Sequence, residues 1–278
     1  MTLLAGFDLA RRLEGCDALG GARFAEALKR LRPGSAAEAL PVAGGYAVYA
    51  GVGSPLTVAL GLGMNGPVSE ADLDRIEAYY RGRGVTMLVD VCPLAHRSLL
   101  DMLGSRGYRI VEFSNLLVRP SEGGDPLLPE PRDVTVREVG QDEADHWARH
   151  VARGFFEPVE IPPVFHASFA AMARMQGARL FLAEVGGKPA GGGLLWVDRG
   201  LARLAGASTL ATFRRRGVHL ALVRARLAAA AGCDLAAMAA SPVSASHRNA
   251  ERLGFRVAYT RAKLALDHRG GSEMLLQY

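Results

Sequence analysis

Residues 213–221, Phe-Arg-Arg-Arg-Gly-Val-His-Leu-Ala, set a basic turn and a glycine directly against an apolar, alanine-rich stretch. Periodicity predicts a strand over 201–210 before this turn and a helix over 220–231 after it, closed by Gly232. A helix start leaves about four backbone N–H groups without partners and carries roughly half a positive charge. An anion docked there meets both donors and field, and Gly217 keeps a side chain out of its way. The stretch therefore reads as a pyrophosphate cradle.

Working outward, the pattern predicts a short strand over 234–240, a helix over 246–253 and a long final strand over 255–266. Upstream it predicts a strand over 135–138, a helix over 142–154 and a hairpin of 178–185 with 188–197, turned at Gly186-Gly187. The cradle resembles the acyl-CoA-binding motif of the GNAT superfamily of N-acetyltransferases, [Gln/Arg]-x-x-Gly-x-[Gly/Ala]. Arg214 and Gly217 take its first two fixed positions, and His219 departs from the third. Ser246-His247-Arg248-Asn249-Ala250-Glu251-Arg252-Leu253-Gly254-Phe255 is similar to the family's last helix and its Leu-Gly-Phe ending. The resemblance covers about residues 134–266.

That resemblance implies direct transfer of an acetyl or other acyl group from acetyl-CoA to an amine within a ternary complex. It places the cosubstrate on Thr209, Leu210, Ala211, Arg214, Arg215, Arg216, Gly217, Val218, His219, Ser246 and Asn249. A backbone N–H from residues 209–211 would meet the thioester carbonyl. Many family members protonate the departing thiolate with a tyrosine four residues before the Gly-Phe pair, a position held here by Ala250. The run instead resembles the branch that acetylates ribosomal-protein N-termini, in which a serine on this helix sits at the CoA sulfur. Ser246 falls there, and it equally fits a helix cap.

Candidate bases are Glu157 and Glu160, in the segment 155–165 that matches the family's acceptor-binding loop, with Glu184 on a strand as another. Acids in that loop would attract a cationic amine, of a small molecule or a peptide; ordinary solvated charge is the other reading.

The chain has 278 residues, 49% of them hydrophobic, enough for one large or two modest cores. A net charge of +5, with arginines gathered at Arg214, Arg215, Arg216, Arg224 and Arg226, suits a polyphosphate ligand better than nucleic acid. No apolar run reaches the roughly 18 residues of a membrane helix, and the first residues lack a secretory layout, so a soluble, cytoplasmic protein without a membrane partner is expected. Cys16, Cys92 and Cys233 have no paired spacing, which argues for reduced thiols and against structural zinc. His146 and His150 share a helix face without a third ligand, so no metal is expected. The sequence says nothing of oligomeric state.

Residues 121–133, with three prolines and two glycines, read as a linker between a domain over 1–120 and an acyl-CoA-binding catalytic domain over 134–278. Before the linker the pattern predicts a hairpin over 47–62, a helix over 70–83 capped by Ser69, a strand over 86–91, a helix over 95–105 and a long strand over 108–119. This order repeats the later half of the second domain. The expected fold is therefore α/β (α+β): two tandem GNAT-like domains, each a mixed, largely antiparallel sheet flanked by helices, the first a degenerate copy without the acyl-CoA motif.

Two glycine motifs in the first copy compete with that reading. Gly61-Leu62-Gly63-Met64-Asn65-Gly66 matches a dinucleotide fingerprint, and Asp90 lies where that fold wants an acid. Pro67 and Ser69, however, put the helix start after the last glycine. Arg81-Gly82-Arg83-Gly84 copies the cradle but ends a helix, where its glycines serve as caps. A non-catalytic acyl-CoA sensor, favoured by Ala250 and His219, is the main alternative, and a nicotinamide enzyme is a third.

Overall fold

The computed structural model describes residues 6–121, 131 and 133–266. Most of the expected linker, 122–130 and 132, lies outside the described residues. The chain forms two compact units, Met1–Asn115 with Ala258–Tyr278 and Leu116–Val257. This division differs from the expected one at both ends. It falls inside two long strands, so each unit takes its last strand segment from the other half of the sequence.

The first unit contains helices α1 (Phe7–Leu31), α2 (Glu70–Arg81) and α3 (Arg97–Ser105) and strands β1 (Glu38–Val42), β2 (Gly45–Tyr49), β3 (Val58–Leu60) and β4 (Leu88–Val91). It also holds residues 108–115 of β5 (Tyr108–Pro120) and 258–266 of β11 (Arg256–Leu266). Its sheet runs β1-β2-β3-β4-β11-β5. The β1–β2, β2–β3 and β4–β11 pairs are antiparallel and β3–β4 is parallel. The expected hairpin over 47–62 is present as the antiparallel pair of β2 with β3, Tyr46↔Leu60 to Val48↔Val58, and a further hairpin, turned at Ala43-Gly44, adds β1 before it.

Sequence reading missed α1. Gly15, Gly20 and Gly21 punctuate it and lower its apparent helical propensity. Its apolar stripe, Leu13, Phe24 and Leu28, is buried, and a β-carbon at Gly21 would lie 2.9 Å from Leu60 Cδ1. The glycine permits the close approach to β3, so tertiary packing outweighs local propensity.

A polar cluster is buried inside this unit. Glu14 Oε1 accepts hydrogen bonds from Tyr259 Oη (2.7 Å) and from Arg261 Nε and Nη2, and Arg261 also pairs with Asp17 at 2.9 Å and Asp90 at 3.5 Å. Burial pushes the Glu14 and Asp90 carboxyls above their ordinary range despite the guanidinium. The cluster ties the end of β11 to α1 and β4.

The second unit contains β6 (Val134–Val139), α4 (Ala144–Phe156), α5 (Pro163–Met172), β7 (Arg179–Val185), β8 (Lys188–Asp198), β9 (Leu201–Thr209), α6 (Val218–Ala229), β10 (Leu235–Ala240) and α7 (Ala245–Arg252), with residues 116–120 of β5 and the first two of β11. Its sheet order is β5-β10-β9-β8-β7-β6; β6 to β9 are antiparallel neighbours, and β10 runs parallel to β9. Adjacent glycines on β8 show how the helices are layered. A β-carbon at Gly192 would strike Val151 and Trp147 of α4, whereas one at Gly193 would strike the Arg226 guanidinium of α6. Because successive strand residues face opposite sides, α4 and α6 lie on opposite faces of the sheet. Leu195, Leu204, Leu222, Val223, Ala236 and Phe255 belong to the core on the α6 side.

Both units thus share a mixed, mostly antiparallel sheet flanked by helices. The series β1-β2-β3-α2-β4-α3-β5 repeats β7-β8-β9-α6-β10-α7-β11 element for element.

Candidate functional site

The site begins where two parallel strands part. Strands β9 and β10 pair from Leu201↔Leu235 to Leu204↔Met238, and no pairing follows although β9 continues to Thr209 and β10 to Ala240. The cause lies on the other edge of β9. Its register with β8 shifts between Gly192↔Ser208 and Leu194↔Ala205, a bulge that bends the strand. Ser208 Oγ donates to the carbonyl of Val151 (2.7 Å), and Gly154 leaves no room for a side chain, since a β-carbon there would lie 2.4 Å from Ser208 Oγ. The end of α4 therefore grips the bent part of β9.

The backbone of 209–211 divides its work. The Leu210 N–H donates to the Ala190 carbonyl at 2.9 Å, so it is committed to the sheet, and Ala211 opens a single 3-10 turn to Phe213. Since alternate N–H groups along a strand point to opposite edges, the neighbouring N–H of Thr209 faces the gap. Within the expected carbonyl-polarising window, the Leu210 N–H is thus committed to the sheet while the Thr209 N–H faces the gap.

The cradle follows. Arg215 (φ +62°) and Gly217 (φ +82°) both adopt left-handed backbone, and the turn between them delivers the chain into α6. Gly217 is the N-cap, no side chain caps the helix, and no acid occupies its first turn. Its start therefore keeps the field and donors that bind an anion. A β-carbon on Gly217 would lie 2.6 Å from Pro131 Cγ, so close approach and positive φ both require glycine here.

The basic residues do not act as one cluster. Arg214 folds back, Nη2 donating to the Gly154 carbonyl (3.3 Å) and Nε lying 3.5 Å from the Thr209 carbonyl, and so braces the turn against α4. Arg216 lies over the Phe213 ring, 4.0 Å from Asp133, and with Lys188 it lines an open depression of about 430 Å³ beside the cradle. Arg215 is exposed. Arg226, expected among the phosphate-facing arginines, is instead 1% exposed: its guanidinium donates to the carbonyls of Leu222, Leu194 and Ala205. It satisfies carbonyls beside the bulge and is no surface cation. Sequence reading missed this because helical spacing placed Arg226 on the core face of α6 while its charge suggested solvent.

Helix α7 closes the site. Its N-cap is Ser244, whose side chain accepts from the His247 N–H at 3.1 Å. Ser246 therefore does not cap the helix, and that reading of it is corrected. Ser246 lies instead across from α6, its Oγ 3.4 Å from His219 Nε2, and Asn249 Nδ2 lies 3.4 Å from His219 Nδ1. Ser246, His219 and Asn249 are thus brought together, a constellation with no short-range sequence signal. Burial and, secondarily, the Arg226 guanidinium push the His219 pKa down to about 4, so its ring is neutral near pH 7. Ala250, at the place of the family's tyrosine, is fully buried.

The carboxylate candidates are less concentrated. Glu157 forms an ion pair with Arg153 one turn back, and Glu160 is exposed in the segment between α4 and α5. Glu184 pairs with Arg137 across β6 and β7, two strands from β9. In the first unit, α2 starts after the glycine loop with Ser69 as cap, and Gly82 and Gly84 end that helix, so neither glycine motif there forms a phosphate turn. His146 and His150 sit together on α4; among the described residues no group of three or more His, Cys, Asp or Glu side chains could hold a metal ion.

Solved structures share this fold. A GCN5-related N-acetyltransferase from Kribbella flavida superposes with a TM-score of 0.62 at 20% identity, covering 91% of this chain and 95% of that chain. A GCN5-related N-acetyltransferase from Sphaerobacter thermophilus gives 0.56 at 17% identity over 73% of this chain and 68% of that one. A tandem GNAT protein from the clavulanic acid biosynthesis pathway gives 0.52 at 16% identity, over 73% and 70%. The sequence matches no protein-family model and no curated protein. The likenesses show the fold: this chain has the GNAT fold.

Proposed function

We propose that the protein is an acyl-CoA-dependent N-acyltransferase whose second unit binds acetyl-CoA and passes the acetyl group directly to an amine. The observation that carries this reading is the parting of β9 from β10 immediately before the uncapped, glycine-led start of α6. The pyrophosphate would rest on the first turn of α6, around Gly217, Val218 and His219, and the pantetheine arm would lie in the gap. The Thr209 N–H would meet the thioester carbonyl, and stabilising the oxygen as it gains charge is worth about a hundredfold or more in rate. The amine lone pair forms the C–N bond, the C–S bond breaks with its electrons going to sulfur, and the proton lost by nitrogen ends on the thiol. Ser246, beside His219, would receive the departing sulfur.

Glu157 and Glu160 support a cationic acceptor, small molecule or peptide, approaching the segment between α4 and α5. Three buried cysteines, Cys16, Cys92 and Cys233, stand outside any disulfide, which fits a reducing compartment and supports a cytoplasmic location. No helix among the described residues is long and apolar enough to cross a membrane.

The test is release of free thiol from acetyl-CoA with a panel of primary amines, joined to mass detection of the acetylated product. A second reading, an acyl-CoA sensor without turnover, draws on Ala250 at the tyrosine place. Saturable CoA binding with no thiol release under any amine would establish the sensor and overturn the enzyme.

A further inference from the structure

His219 stands where the motif it resembles carries glycine or alanine, and its side chain spans from the first turn of α6 to α7. Its two ring nitrogens have different partners. Nδ1 is 3.4 Å from the amide nitrogen of Asn249, and Nε2 is 3.4 Å from the hydroxyl of Ser246. Ser246 and Asn249, three apart on α7, share one face of that helix.

A neutral imidazole carries one N–H and one lone pair, and the hydrogen bond at one nitrogen settles which is which. The amide nitrogen of Asn249 can only donate. Nδ1 must then accept, and the ring proton lies on Nε2, directed at Ser246. Ser246 Oγ accepts that bond, so its own O–H has to find a third partner. We infer that His219, set by Asn249 as the Nε2–H tautomer, is a positioning residue that holds Ser246 as a hydrogen-bond donor toward the leaving sulfur. This rests on the reading that the thioester lies in the gap between β9 and β10.

The chemistry balances without moving the ring proton. As the amine nitrogen bonds to the acyl carbon, the C–S electron pair passes to sulfur, and the Ser246 O–H donates a hydrogen bond to the growing thiolate. A serine hydroxyl is far less acidic than a thiol, so Ser246 stabilises the anion and does not protonate it; the amine's proton completes the thiol. The opposite arrangement, with the Asn249 carbonyl facing Nδ1–H, would leave a lone pair on Nε2, make Ser246 donate to the ring and suit it to nucleophilic attack.

Two measurements separate these cases. Nitrogen-15 NMR of the full-length protein near pH 7, with the His219 signals assigned by loss in His219→Gln, should show Nε2 protonated and Nδ1 bare. Kinetics with acetyl-CoA and an accepted amine should show Ser246→Ala and His219→Leu each lowering kcat by on the order of tenfold to a hundredfold, with the KM for acetyl-CoA nearly kept. His219→Gln, whose amide can accept from Asn249 and donate to Ser246, should recover most of the loss. The double variant Ser246→Ala/His219→Leu should be no slower than Ser246→Ala alone, because one residue acts through the other. An Nδ1-protonated or cationic ring, or losses that multiply in the double variant, would overturn the role given to His219 while the acyltransferase stands. Failure of the wild type to turn over acetyl-CoA with any amine would overturn the functional reading and, with it, the role of Ser246.

Discussion

Helices α2 and α6 occupy equivalent places in the two units, each between a strand and the parallel strand that follows it, yet they begin in opposite ways. At α2, Ser69 accepts from the Asp72 N–H (3.1 Å) while the Asp72 carboxylate accepts from the Ser69 N–H (3.1 Å), a complete capping box with acids in the first turn. At α6 a left-handed glycine leads in, no side chain caps the first turn, and the preceding residues are arginines. The first helix has satisfied its free donors and neutralised its own field; the second offers both to a ligand. Repetition of a fold therefore does not repeat a site, because the first turn of a single helix decides whether an anion is welcome.

The severest way to break the comparison is to put an acid at the second helix. Gly217→Asp should weaken CoA binding on the order of a hundredfold by calorimetry, since a carboxylate would occupy the anion's field. Gly217→Asn, similar in shape and tolerant of left-handed backbone, separates charge from fit: it should bind more tightly than the Asp variant while sharing its modest loss of thermal stability against Pro131. Equal affinities in the two variants would show that shape and not charge governs the cradle.

The converse experiment opens the first helix. Ser69→Gly with Asp72→Ala removes the capping box and should cost about 1 kcal/mol in urea unfolding. Calorimetry should still find one CoA site per chain, because α2 lacks the arginine-glycine turn. A second site would sink the claim that the first unit carries none.

Acid sharpens the contrast further. Folding holds His219 at a pKa of about 4 against 6.5 when free, so the folded state favours the neutral ring. Its stabilising contribution is complete above about pH 6.5 and is lost as pH falls toward 4, because the unfolded chain binds the proton first. At pH 5.5 the second unit should lose about 1.4 kcal/mol relative to pH 7.5, and His219→Gln should abolish that part of the slope. Asp72, by contrast, is held below its usual range by its bonds to Ser69, so the α2 box should persist to lower pH.

The smallest effect concerns the acceptor. Changing Glu157 and Glu160 together to Gln should raise the apparent KM for a cationic amine a few-fold and flatten its salt dependence, leaving CoA affinity alone. Unchanged kinetics would leave both as surface charge, Glu157 as the partner of Arg153.

What could be read in the sequence was everything governed by local pattern. Alternating or helical periodicity located β7, β8, β9, α6, β10, α7 and β11 to within a few residues, and Ser69 marked the start of α2 because capping is a contact three residues long. The glycine of the cradle was legible for the same reason: a left-handed turn before a helix is a local demand. Tertiary structure alone decided the rest. Leu210 spends its N–H on β8, Arg226 turns inward to carbonyls beside a bulge, and α1 survives three glycines by packing on the sheet. His219 meets Ser246 and Asn249 only because the sheet sets α6 beside α7, 27 and 30 residues along the chain. Propensity and capping act over a single turn and leave their mark in neighbouring letters, whereas hydrogen bonds across elements depend on where the whole sheet places them, and no short window of residues records that.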